Sequence, residues 1–185
     1  DKEVRSFLID FYKEMLEKYD IDGIHLDYIR FPELNYGKTD FGYNENIVTA
    51  WQIENATTVN PATLTSGALY QSWLKFRQDI INSFVKEVYE MIKAEDPDTW
   101  LTAAVYPGIP SIKNDIFQDC ANWVENGYVD ELFSMSYGAD NAYVSNNASK
   151  FVTLSGNKCF YSTGISAFGE TVPMNFALQM TEVRQ

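Results

Sequence analysis

The sequence predicts an α/β protein, a partial (β/α)8 (TIM) barrel with about four parallel strands and flanking helices. Three observations lead there. Apolar residues recur at helical spacing in several segments, short apolar runs closed by turn residues lie between them, and the two kinds alternate along the chain. Alternation of this kind argues for βαβ units and a parallel sheet. An eight-stranded barrel takes roughly 250 residues, so about four strands in 185 residues amount to half of one.

The first helix is read from Val4, Phe7, Leu8, Phe11 and Met15 and runs to about Tyr19, with Lys and Glu on its other side. Asp20 to Gly23 break that pattern, and Gly23 to Ile29 reads as the first strand. Residues 32–66, rich in Asn, Thr, Gly and Tyr, form a long loop insertion with a short helix expected around Asn46 to Glu54. The helical period returns in a stripe of Leu69, Trp73, Phe76, Ile80, Phe84, Val88 and Ile92, and this helix ends before Pro97. Trp100 to Tyr106 is the second strand, closed by Pro107-Gly108. One helix through Ile116, Cys120 and Trp123 stops at Asn126-Gly127. Val129 to Tyr137 is the third strand, a helix is expected to follow, and Lys158 to Ile165 is the fourth, with a last helix after Pro173. The whole, residues 1–185, reads as a single incomplete (β/α)-barrel domain.

Two architectures satisfy this order, a doubly wound open sheet and a barrel. No GxGxxG or GxxxxGK[ST] follows any strand, so the usual nucleotide-binding signatures are missing. The formal net charge of −12 disfavours phosphate backbones and acidic lipid surfaces, and no basic stripe offsets it. No run approaches the roughly 20 apolar residues of a membrane span, and no signal peptide opens the chain. The lack of an initiator Met leads us to expect a longer parent protein. Cys120 and Cys159 form no CxxC pair and read as buried small hydrophobes. With one histidine a multi-histidine metal centre cannot be assembled, and no cofactor is called for. No G-x-S-x-G elbow supports a serine nucleophile.

The chemistry concentrates on the first strand. Side chains alternate between faces, so Ile24 and Leu26 share one face while His25 and Asp27 take the other. In a barrel the second pair points inward, where branched apolar residues normally pack, and Asp27 lies at the C-terminal strand end that builds barrel active sites. The alternative for Asp27 is a turn cap or an ion pair with Arg30; that for His25, a packed, hydrogen-bonded interior group. Arg30 would otherwise bind substrate or hold Asp27 ionised.

The run Tyr19-Asp20-Ile21-Asp22-Gly23-Ile24-His25-Leu26-Asp27-Tyr28-Ile29-Arg30-Phe31-Pro32 resembles the YDVDGIHxDYIRYP signature of the glycosyl-hydrolase-like family 10 proteins. Phe41 to Asn44, Trp73 to Arg77, Trp123 to Asp130 and Met135 to Tyr137 resemble further stretches of that family, in the same order. The resemblance implies a (β/α)8-barrel relative of the glycosidases, whose fourth to seventh strands these would be. It also implies a carbohydrate substrate, a poly- or oligosaccharide such as a cell-wall glycan, and a secreted, periplasmic or bacterial cell-surface setting. The missing barrel half or a second copy would then cover the exposed sheet edges.

Glycoside cleavage usually employs two carboxyl groups. By the resemblance, Asp27 stands where related barrels carry the nucleophile. The second strand ends Ala104-Val105-Tyr106-Pro107 without the acid of the amylase-like pattern. Asp140, after the third strand, and Glu170, after the fourth, are the candidates within the chain, each also readable as a solvated loop carboxylate and Glu170 more so; the absent barrel half is the other source for this group. His25, Tyr28, Arg30, Tyr106 and Tyr137 are the expected substrate-binding residues, the three tyrosines as rings at strand ends. A glycan-binding barrel without catalysis is the alternative function.

Overall fold

The computed structural model describes residues 1–33, 40–138, 140–167 and 173–183. In chain order the elements are α1 (Lys2–Lys18), β1 (Gly23–Leu26), α2 (Glu45–Glu54), a 3-10 turn (Pro61–Thr63), α3 (Gly67–Glu95) and β2 (Trp100–Val105). Then come α4 (Ile112–Asp115), α5 (Cys120–Glu125), β3 (Glu131–Met135), α6 (Asn141–Ser155), β4 (Phe160–Gly164) and α7 (Pro173–Glu182).

All four strands are parallel and stand in the sheet in chain order, β1-β2-β3-β4. A doubly wound sheet reverses its strand order at a switch point and carries helices on both faces. Neither holds among the described residues, and the open sheet is consistent with a barrel segment. The helix-covered face buries Ile24 and Leu26 of β1, Leu101, Ala103 and Val105 of β2 and Leu132 of β3, against Val85, Val88 and Ile92 of α3 and Trp123 of α5. The opposite face is open. His25 is exposed there, as are the stacked rings of Trp100 and Phe160, 5.2 Å apart.

Several expected boundaries and faces differ, each for a physical reason. β1 ends at Leu26 instead of Ile29 because Tyr28 takes the left-handed backbone region, φ 55°. The buried line of α3 runs through Trp73, Leu74, Arg77, Gln78, Asn82, Val85, Val88 and Ile92, leaving Phe76, Ile80 and Phe84 half-buried at its flank. Its polar members are partnered: Asn82 accepts from the Trp123 indole at 2.7 Å, and Gln78 donates to the Lys113 carbonyl at 2.9 Å. The single helix expected through Ile116 and Trp123 is broken in two. Phe117 adopts φ 59°, and the buried Gln118 turns its side chain to the sheet, accepting from the Tyr106 N–H at 2.8 Å and donating to the Ala104 carbonyl at 3.2 Å. Asp119 then caps α5.

The 32–66 stretch is also more than a loop. Beyond residues 34–39, outside the described residues, its later part folds back on α3. Trp51 of α2 is fully buried, donates to Ser72 Oγ at 2.9 Å and meets Trp73 edge-on. The stretch is anchored by Arg77, 2% exposed, which donates to Asp40 at 2.7 Å and to the Phe41 carbonyl at 3.1 Å. The guanidinium also lies 4.1 Å from the Phe117 ring centre. Gly42, at φ +92°, completes the clamp: a Cβ there would meet the Phe31 ring at 2.8 Å and Arg77 Cδ at 3.3 Å. Arg77 thus joins α3, the segment after β1 and the α4–α5 turn.

Candidate functional site

The C-terminal ends of β1, β2 and β3 bring the expected residues to one rim. Asp27 follows the last residue of β1, on the open-face phase, and is exposed. Its Oδ1 accepts the N–H of Tyr28 at 2.8 Å, the one bond the described residues give it. The left-handed turn at Tyr28 is rare for a bulky residue, and such backbone outliers gather at functional sites. Here it carries the Tyr28 ring, 73% exposed, out beside Asp27.

Arg30 does not pair with Asp27. Its guanidinium lies between two rings, 4.8 Å from the centre of Tyr28 and 4.5 Å from that of Tyr106, with Glu33 at 3.7 Å. The side chain is only 9% exposed, and its Nε has no partner among the described residues. Tyr106 is therefore tied to Asp27's segment through Arg30 and to the core through Gln118. His25 sits one layer below Asp27. Its Nδ1 is 2.7 Å from Thr102 Oγ1, and its ring meets Phe133 edge-on at 5.2 Å, so it is an oriented member of the open face.

β3, whose phase was ambiguous in sequence, buries Leu132 and Ser134 on the helix side and directs Glu131, Phe133 and Met135 to the open face. Ser134 is held there by Tyr161 and Ser136, at 2.7 and 2.9 Å, and burial pushes the Tyr161 hydroxyl pKa up. Tyr137 emerges at the rim 62% exposed, next to Gly164, where an added Cβ would lie 2.7 Å from the Ser134 carbonyl and 3.1 Å from the Tyr137 ring.

Asp140 has a structural duty. It is the N-cap of α6, its Oδ1 accepting from the Ala142 N–H at 2.9 Å, and no described contact joins it to Asp27. Glu170 lies outside the described residues. Sequence reasoning overlooked Glu131, whose carboxylate accepts from Ser162 at 2.6 Å on the open face below the rim. Fixing the phase of β3 by the buried Leu132 would have found it. Among the described residues no group of three or more His, Cys, Asp or Glu side chains is placed to hold a metal ion.

The profile of a family described as Glycosyl hydrolase-like 10 matches residues 1–157 of the chain. No curated protein matches it.

Proposed function

The chain belongs to the glycosyl hydrolase-like 10 family, and from that premise we propose that it supplies catalytic residues of a glycoside hydrolase acting on a poly- or oligosaccharide. The observation that carries the reading is Asp27: an exposed carboxylate at a strand's C-terminal end, flanked by the Tyr28, Tyr106 and Tyr137 rim. In this reading Asp27 attacks the anomeric carbon or activates the water that does, and a second carboxyl group protonates the leaving oxygen. Asp140 takes the second role, its cap engaging only Oδ1 and the residue being exposed. The tyrosine rings receive the apolar face of a sugar. Arg30, held between two of them, and His25, oriented by Thr102, offer donors to its hydroxyls.

A cell-wall glycan and a secreted, periplasmic or bacterial cell-surface setting follow the family reading. The free edges of β1 and β4 and the exposed open face favour a covering partner, the other barrel half or a second copy.

A specific observation favours a second reading, a barrel that binds glycan without cleaving it. No acid follows β2, and Asp140 is committed to a helix cap. Reducing-end release from a glycan panel by the full-length protein separates the two. Turnover supports the hydrolase; glycan binding without new reducing ends supports the binding barrel.

A further inference from the structure

The helix-covered side of the sheet holds a feature that the glycan reading does not use. Between the short helices α4 and α5 and the face of α6 lies a cavity of about 550 Å³, within the size range of small-molecule sites. It opens because the connection from β2 to β3 is two short helices instead of one long one. Its lining comes from the connection between β2 and β3 and from α6, which connects β3 to β4.

The lining decides the ligand chemistry. Ile109, Pro110, Ile112, Ala121 and Leu154 give aliphatic walls, and among the described residues no aromatic ring lines the cavity. A sugar, which packs its C–H face on rings, has no platform here. Cys120 adds a buried thiol kept protonated by its apolar surroundings, hence an apolar wall and not a nucleophile.

Charge points the same way. Of the chain's Lys and Arg residues, all but Lys38 and Arg184 are described, and of those only Lys2, Lys113 and Lys150 form no ion pair. Two of these three line this cavity, in a chain of net charge −12. Asp119, the one acidic side chain in the lining among the described residues, caps α5. Apolar walls beside two unpaired ammonium groups fit an aliphatic anion.

We infer that this cavity binds a straight-chain alkyl carboxylate, its methylenes against Ile109, Ile112, Ala121 and Leu154 and its head group at Lys113 and Lys150. The inference is independent of the glycosidase reading. The test is calorimetric titration of the protein with dodecanoate below its micelle concentration, beside decanoate, octanoate and dodecan-1-ol. Affinity is expected to fall about two- to fourfold per methylene removed. A K113Q/K150Q double variant, altered only in unpaired cations, is expected to weaken dodecanoate roughly two- to tenfold and leave dodecanol unchanged. Ala121→Trp, with its fold checked by circular dichroism, is expected to block both. No dodecanoate binding at millimolar concentration, or binding unchanged in both variants, would overturn the proposal. Dodecanol binding as tightly as dodecanoate would overturn the head-group assignment.

Discussion

Replacing Arg77 by leucine tests how the segment beyond Asp27 is held. The native guanidinium is 2% exposed and makes two charge-assisted bonds, to Asp40 at 2.7 Å and to the Phe41 carbonyl at 3.1 Å, and a close approach to Phe117. A hydrogen bond involving a charged group is worth about 1.5–3 kcal/mol, and a desolvated cation–π contact up to about 2. Asp40 is 36% exposed, so water recovers part of its lost pairing. Leucine also returns some apolar burial. The expected net loss is about 2–4 kcal/mol, a fall of roughly 1–2 M in the urea midpoint at an m-value near 2 kcal/mol/M. The assay is urea unfolding followed by tryptophan fluorescence, with Trp73 beside the substituted position as reporter. A double-mutant cycle with Asp40→Asn is expected to return a coupling of about 1–2 kcal/mol. A midpoint shift below about 0.3 M, or no coupling, would refute the clamp.

Other expectations follow from single positions. Gly127→Ala places a side chain at φ +67° with open space around it, so only backbone strain of about 1–2 kcal/mol is expected, read as a urea midpoint shift. Gly164→Ala has no such room, and displacement of the Tyr137 ring is expected to weaken glycan binding in titrations while Gly127→Ala leaves it unchanged. Burial raises the pKa values of Cys120, Cys159 and Tyr161. A raised folded-state pKa gives stability that is complete below the unfolded value and lost as pH rises through the folded one. Unfolding free energy is therefore expected to fall from about pH 9 upward, with a shallower fall in Cys120→Ala, checked by urea titrations from pH 8 to 11. For the same reason Cys120 is expected to resist a thiol reagent until the protein unfolds.

The sequence carried the element order and the faces of β1 because both rest on local periodicity. Ile24 and Leu26 are buried and His25 and Asp27 exposed, as alternation requires. What it did not carry depends on partners distant in the chain. The break between α4 and α5 comes from Gln118 reaching back to Ala104 and Tyr106, which no local propensity encodes. Arg77, Gln78 and Asn82 fall outside the apolar stripe of α3 and lie in its buried line, because Asp40, Lys113 and Trp123 arrive to satisfy them. The strand choice between barrel and doubly wound sheet needed the observed order β1-β2-β3-β4. At the site, alternation found His25 and Asp27, whereas Glu131 stayed hidden behind the ambiguous phase of β3. Asp140, read in sequence as a catalytic candidate or a solvated loop carboxylate, caps α6.

The proposed hydrolysis requires that Asp27 perform chemistry. Its most direct test is Asp27→Asn in the full-length protein, with reducing-end release and glycan affinity measured on the same substrate. The substitution keeps an acceptor for the Tyr28 N–H and removes only the charge. The expected result is a fall in kcat of at least about 10³-fold with glycan affinity nearly unchanged, as for removal of a reacting group. Unchanged turnover in the variant would contradict the claim and return Asp27 to the status of a turn residue.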